Sequence, residues 1–233
     1  YGALETYLDH AEPGVAVNSW RLAQGAELFL AAESEDFVIT AYGPLIYMIN
    51  GAVMALLGGS ITASKLSGLL AALLGLSVFA FYVARRHGGS WVPLGVLLYG
   101  CFLLIPAPIS FWTRPDPLLV LLLTLALCVT LIEGETGWRR WAAPVMIAVL
   151  AGLAMNLKIH APVYFLPLVF RYCVQRWAVT WTVMAVLGAL AALLPFALDQ
   201  VSLANYLSGL AIVAGSRSVQ MVLLASGLKW GLL

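Results

Sequence analysis

The chain has 233 residues, of which 62% are apolar and only 10% charged, and its 12 Lys and Arg nearly balance its 11 Asp and Glu. A soluble domain of this composition would lack the polar surface needed to cover its core. No basic block suggests a nucleic-acid partner. We therefore expect an all-α fold, a polytopic helical membrane protein in which apolar helices form a transmembrane bundle.

The cysteines and the chain ends add two expectations. Cys101, Cys128 and Cys173 lie in or beside apolar runs without a C-x-x-C spacing, which is typical of small buried residues and supports neither a disulfide framework nor a zinc site. The sequence starts at Tyr1 without an initiator Met and stops at Leu233 inside an apolar run. We expect a fragment, a single transmembrane module truncated at both ends, and no signal peptide is visible in it.

The first 43 residues hold most of the acids, including Asp9 and Glu12, and predict a polar loop with one or two short helices. Tyr42-Gly43-Pro44 then leads into the apolar segment Leu45 to Leu57. At about 1.5 Å per residue this segment spans about 20 Å, less than the ~30 Å of a hydrocarbon core. It is predicted to lie in the interface or to dip in and return; a short, buried span is the alternative. Residues 1–65 are thus expected to form an acidic extracytoplasmic first loop with interfacial helices, and residues 66–233 the membrane spans.

Six apolar segments beyond residue 64 predict membrane crossings. They are Leu66 to Ala84, Trp91 to Ile105, Leu118 to Ile132, Ala142 to Leu157, the short Ala161 to Phe170, and Trp177 to Leu198. Residues 199–218 are predicted to form an amphipathic connection, and Val219 to start a further span.

The distribution of basic residues predicts the orientation of these spans. Three alternate short loops carry pairs of arginines, namely Arg85 and Arg86, Arg139 and Arg140, and Arg171 and Arg176. The positive-inside bias places these loops in the cytoplasm. The extracytoplasmic side then holds Arg114, Asp116, Lys158, His160 and Asp199. Asp9 and Glu12 join them only if the segment before Leu57 does not cross the membrane.

The segment Ser110 to Pro117, with sequence SFWTRPDP, joins two apolar runs and sets Arg114 two residues before Asp116. An Asp or Arg at the centre of a membrane helix costs roughly 2.5 to 3.5 kcal/mol. A charged pair this close to hydrocarbon therefore suggests a function. The structural alternative has equal weight, because prolines and an acid in the first turn are favourable at the start of a helix.

Five segments, taken in their order and spacing, resemble those of a known family. They read LDHAEPGVA, YGPLIYMINGAVMALLGGS, SKLSGLLAALLGLSVFAFYVARR, FWTRPDPLLVLLL and AGLAMNLKIHAPVYFLPLVF. The chain resembles, over roughly residues 5 to 172, the GT-C membrane glycosyltransferases of the protein O-mannosyltransferase and aminoarabinose-transferase type, including the RgtA/B/C/D-like bacterial members. The resemblance implies a GT-C-like transmembrane module that transfers a sugar from a polyprenyl-phosphate-linked donor to a lipid, glycan or protein acceptor at the outer face.

The resemblance also implies roles for three residues. Asp9 matches the acid of the first outer loop that is the best candidate for the catalytic base, and Asp116 matches a second acid at the head of a later helix. Lys158 matches a lysine that meets the lipid phosphate.

The chemistry itself fits these residues. Displacement of a phosphate by a hydroxyl or amine needs one base and cations that stabilise the leaving group. Arg114 and Lys158 would supply the cations, and a single in-line base predicts inversion. Glu12, His160 and Tyr42 complete the predicted substrate-binding set. The residues identify no cofactor, although Asp116 could help to hold a divalent ion.

Each role has a structural alternative. Asp9 could be a solvated loop acid, Arg114 could reach toward phospholipid headgroups, and Lys158 could pair with an outer acid. The chief alternative function is a membrane transporter or flippase for a lipid-linked or small polar substrate, which predicts charges near mid-span. The short loops and the resemblance favour a bacterial inner membrane.

Overall fold

A computed structural model describes residues 11–35, 37, 42–104, 112–132, 137–174 and 177–216. Every regular element in these residues is helical, which confirms the all-α prediction. The α-helices are α1 (Ala11–Ala23), α2 (Pro44–Leu57), α3 (Ile61–His87), α4 (Val92–Leu104), α5 (Asp116–Val129), α6 (Arg139–Met155), α7 (Leu166–Cys173), α8 (Trp177–Leu193) and α9 (Leu203–Ser216). Short 3-10 turns precede α4 and α7 and extend α5 and α8. The further span predicted from Val219 lies outside the described residues.

The helix ends follow from local sequence. Ser60 caps α3, because its hydroxyl accepts a hydrogen bond from the backbone N–H of Ala63 at 3.1 Å. Gly88 ends α3 with a φ of 97°, a conformation that favours glycine. The predicted span began only at Leu66, whereas α3 begins at Ile61. The sequence interpretation missed the cap and so placed Lys65 outside the helix.

The helices α3, α4 and α5 alternate in direction. Gly75 of α3 lies against Leu121 of α5, and Arg85 near the end of α3 shares a cleft with Thr130, just after α5, so α3 and α5 run parallel. In the chain α4 comes between them and runs the opposite way to α3, because Gly95 lies against Val83 whereas Tyr99, further along α4, lies beside Gly75. The Tyr99 hydroxyl also bonds to that of Thr124 of α5 at 3.3 Å.

The later helices continue the alternation. Asp116 at the start of α5 contacts Lys158, just after α6, so α5 and α6 are antiparallel. α6 and α8 are parallel and very close: a Cβ at Gly188 would lie 3.3 Å from the Ala148 carbonyl oxygen. The bundle therefore has two ends. We call the end where α5 begins and α6 ends the site end, and the opposite end, where α3 and α5 finish, the arginine end.

A buried polar chain ties the N-terminal helices to α3. The Asn50 side-chain amide of α2 donates to the Ser19 hydroxyl of α1 at 3.3 Å, and its carbonyl oxygen accepts from the Ser67 hydroxyl of α3 at 3.1 Å. All three side chains are buried. Buried polar groups are stable only when hydrogen-bonded, so this chain fixes how the three helices meet.

Large apolar side chains cover the outside of the bundle. α4 has no buried residue at all. Leucine, phenylalanine and valine side chains that are about half exposed lie on α3, α4 and α8, at Leu70, Leu73, Leu74, Phe81, Leu94, Leu97, Leu98, Phe102, Val179, Val186 and Leu190. Within the described residues, two helical stretches are long and apolar enough to cross a membrane, Ile61–His87 and Ala178–Ala197. An apolar outer surface of this kind marks a lipid or protein contact.

The segment after α1 packs against α9. The Asn205 side-chain amide donates to the Phe29 carbonyl oxygen at 2.9 Å, and the Phe29 ring lies 4.9 Å from that of Tyr206. Burial raises the pKa of the Tyr206 phenol, which therefore stays protonated. The contact brings the two ends of the described chain together beside α2, where Tyr47 completes the aromatic cluster.

Candidate functional site

An ion pair joins two helices at the site end. The Lys158 ammonium lies 2.5 Å from Oδ1 of Asp116, and only 18% of the lysine side chain and 22% of the aspartate side chain are exposed. Asp116 is the first residue of α5, where the helix dipole also favours a negative charge. Sequence reasoning had placed both residues in the site, and the structure brings them into contact across 42 residues of chain.

The ion pair also matches the structural alternative for Lys158, which anticipated an outer acid as its partner. The second carboxylate oxygen of Asp116 is enclosed, and it accepts no hydrogen bond from the part of the chain that the structure describes. That oxygen is therefore withdrawn from bulk water in this arrangement.

Two aromatic rings hold Arg114 at the site end. Its guanidinium carbon lies 4.3 Å from the centre of the Trp112 ring and 5.5 Å from that of Tyr42, within the range of cation–π attraction. Trp112 is buried, whereas Arg114 is half-buried. In the structure each ring packs on the arginine, and Tyr42 thus lies in the predicted site.

The start of α2 docks against the end of α6 and so places Tyr42. The backbone N–H of Gly43 donates to the Leu157 carbonyl oxygen at 3.3 Å, and that of Leu45 donates to the Asn156 carbonyl oxygen at 3.1 Å. A Cβ at Gly43 would collide with the backbone of Asn156, so only glycine allows this approach. The contact sets Tyr42 beside the residues that lead into Lys158.

Glu12 lies behind this surface. Its side chain is fully buried, and one of its carboxylate oxygens accepts a hydrogen bond from the backbone N–H of Thr113 at 3.2 Å. The bond joins α1 to the segment between Trp112 and Arg114 across 101 residues of chain. Glu12 therefore belongs to the site, but it contacts the backbone that carries Arg114 and does not face solvent.

Lys65 is a second buried charge that sequence reasoning missed. It lies in the second turn of α3 and is only 1% exposed. Because α3 and α5 run parallel, with Gly75 opposite Leu121, this turn is at the same end as the start of α5. The available signal was Ser60, whose capping sequence places Lys65 inside the helix and not in a loop.

The other predicted site residues are less informative. His160 is exposed, and its ring contacts that of Tyr164 edge-on at 6.1 Å. Asp9, the predicted base, lies outside the described residues. Across the described ranges no three His, Cys, Asp or Glu side chains are grouped as metal ligands would be. The divalent ion therefore stays a prediction, and no ligand set is assigned to it.

The site end thus carries two cations, Arg114 and Lys158. Aromatic rings hold Arg114, and the Asp116 carboxylate holds Lys158. Such a group can bind a phosphate through charge-assisted hydrogen bonds. Comparison with known proteins adds nothing to this geometry: no family model matches the chain, and no similar curated protein or solved structure was found.

Proposed function

We propose that this chain is part of a multi-pass GT-C-type glycosyltransferase, which moves a sugar from a polyprenyl-phosphate-linked donor to a lipid, glycan or protein acceptor on the extracytoplasmic side of a bacterial inner membrane. The observation that carries the proposal is the grouping of Arg114, Asp116 and Lys158 at one end of an apolar helical bundle. A lipid-linked sugar phosphate would present its charged part at that depth.

The multi-pass arrangement is supported by the alternating helices and their apolar surfaces. α4 exposes leucines that water would not favour, and it runs antiparallel to α3. α6 has 17 residues and therefore a length of about 25 Å, close to the ~30 Å of a hydrocarbon core. The site end and the arginine end would then lie at opposite membrane surfaces.

The position of the charges favours an enzyme over a transporter. A transporter needs ionisable residues near mid-span. In the described parts of α3 to α8, charged residues occupy only the first two turns or the last two turns, at Lys65, Arg85, Arg86, Asp116, Arg139, Arg140 and Arg171. This distribution leaves the middle of these helices uncharged and puts the charged side chains at the two ends of the bundle.

In the proposed reaction, the base removes the proton of the acceptor hydroxyl or amine, and the acceptor atom attacks the anomeric carbon. The bond between that carbon and the phosphate oxygen breaks, and its electron pair leaves with the polyprenyl phosphate. Lys158 and Arg114 stabilise the negative charge on this leaving group. When Lys158 turns to the phosphate, Asp116 is released to bind sugar hydroxyls. A single in-line displacement inverts the anomeric carbon.

The remaining residues support this step. Asp9 is the proposed base, and it precedes Glu12 by three positions in the chain. Glu12 acts as a positioning residue, because it holds the backbone of Thr113 next to Arg114. Tyr42 also packs on the guanidinium, and His160 is exposed two residues after Lys158, where an acceptor could approach.

The test is transfer of a radiolabelled sugar from crude polyprenyl-phosphate donors by membranes that carry the complete protein. Asp9→Asn removes the basic carboxylate, and loss of a general base is expected to reduce transfer by about 10²- to 10⁴-fold. Lys158→Gln is expected to reduce transfer and to weaken donor binding together. Asp199→Asn is the matched control, since Asp199 is an exposed acid close to the site end of α8, and its transfer should equal that of the wild type.

Two outcomes contradict the assignment. Full transfer by Asp9→Asn at normal expression removes Asp9 from the mechanism. An equal loss in Asp199→Asn shows that the effect is general and not due to the base. Uptake of a polar substrate into vesicles, without sugar transfer from any donor or acceptor class, would favour the transporter.

A further inference from the structure

A cleft at the arginine end has no role in the proposed transfer. Arg85 and Arg86, in the last turn of α3, line it together with Thr130 and Leu131 of the turn that follows α5, and its volume is about 400 Å³. This size is within the range of small-ligand sites. Two arginines therefore line a cavity large enough for a phosphate with its attached ester groups.

The two arginines carry unbalanced charge. Neither forms an ion pair with a carboxylate anywhere in the described ranges; Arg85 lies 6.0 Å from the centre of the Phe81 ring, a weak contact. The negative end of the α3 dipole stabilises each cation in its place. The dipole leaves the N–H donors of each guanidinium available for hydrogen bonds, and their planar arrangement matches the oxygens of a phosphate.

The surroundings of the cleft indicate the source of the phosphate. Trp91 lies directly before α4 and Trp138 directly before α6, both at this end. Their side chains are 56% and 69% exposed, as is typical of rings at headgroup depth. Phe81, one turn below Arg85 on α3, is 54% exposed and offers an apolar wall. A free anion needs no such wall, whereas the chains of a lipid would lie along it.

We propose that this cleft binds the phosphate of an anionic membrane phospholipid, with the headgroup on Arg85 and Arg86 and an acyl chain along Phe81. The proposal rests on the membrane location in the proposed function, but not on sugar transfer. The site would hold a lipid of the leaflet opposite to the one where transfer takes place.

The test measures lipid binding to the purified full chain in detergent by native mass spectrometry. Phosphatidylglycerol is titrated against phosphatidylcholine with the same acyl chains, and inorganic phosphate is titrated separately. We expect phosphatidylglycerol to bind at least tenfold more tightly than phosphatidylcholine. Arg85→Gln with Arg86→Gln should abolish this preference, while Arg85→Lys with Arg86→Lys, which keeps the charge and loses the planar fork, should retain only part of it.

The matched control is Arg139→Gln with Arg140→Gln, which removes the same charge from the same end but does not touch the cleft. An equal loss of preference in the control would overturn the proposal in favour of general charge attraction. Phosphate binding as tight as lipid binding would overturn the lipid assignment. If the double glutamine variant does not fold, Arg86→Gln alone replaces it. Sugar transfer plays no part in the readout, so failed transfer with retained lipid preference refutes the proposed function only.

Discussion

Gly152→Ala tests the packing that holds the site end together. Gly152 of α6 faces α8, where an added Cβ would lie 2.8 Å from the Ala191 Cβ and closer still to the Gly188 carbonyl oxygen. Real Cβ atoms do not approach this closely, and the neighbour on the Gly188 side is backbone, which cannot rotate away. The two helices must therefore separate by roughly an ångström to restore ordinary contact.

The magnitude follows from two opposing effects. Overpacking in a close interface costs about 1 to 3 kcal/mol, while replacing a helical glycine by alanine gains about 0.5 to 1 kcal/mol. Separation also lengthens the 3.2 Å hydrogen bond from the Asn156 amide to the Ala191 carbonyl oxygen, and such a bond contributes about 1 kcal/mol. We expect a net loss of about 2 kcal/mol, equivalent to a fall of roughly 4 to 8 °C in Tm for a chain of this size.

The assay is thermal unfolding of the purified protein in detergent, followed by the fraction that remains monodisperse after heating. Gly100→Ala is the control: it is also a glycine inside a helix, α4, but an added Cβ there meets nothing within 4 Å. Its Tm should be unchanged or slightly higher. If Gly152→Ala is as stable as Gly100→Ala, α6 and α8 do not approach as described, and the position of Lys158 after α6 loses its support.

Two further substitutions test polar contacts by the same assay. Asn50→Ala should lower the free energy of unfolding by about 2 to 3 kcal/mol, because it removes two buried hydrogen bonds and leaves the buried Ser67 hydroxyl without its acceptor, while Ser19 keeps its bond to the Val15 carbonyl oxygen; a change under about 0.5 kcal/mol would contradict the chain between the first three helices. Asn156→Ala should cost about 1 to 2 kcal/mol through its bond to Ala191, and an unchanged Tm would mean that the amide does not bridge the two helices.

The sequence predicted the helices well where apolar runs end in recognisable signals. Pro44 after Gly43 marks the start of α2, and Gly88 marks the end of α3, because proline favours the first turn and glycine adopts a positive φ beyond the last. The start of α3 was misplaced since Lys65 looked like a flanking charge. The apolar composition of α3 gives no sign that it buries a lysine, because a buried charge is costly unless tertiary contacts stabilise it.

The sequence predicted three charged residues that the structure brings to one end of the bundle, but it did not predict their contacts. The types and positions of Arg114, Asp116 and Lys158 singled them out, since charge beside hydrocarbon is rare. The sequence allowed an outer acid as the partner of Lys158 but did not single out Asp116. Nothing in it indicated that the backbone next to Arg114 rests on Glu12. Such pairings join residues far apart in the chain, and their geometry depends on how the helices pack.

The two interpretations of the segment before α5 are not exclusive. Asp116 begins the helix, where the dipole favours its charge, and the same carboxylate binds Lys158. A role at the helix start alone would not explain the contact of Asp116 with Lys158. A role as the partner of Lys158 alone would not explain why Asp116 is the first residue of α5. Because the start of α5 fixes the carboxylate and the carboxylate contacts the ammonium, the position of the Lys158 cation at the site end depends on where α5 begins.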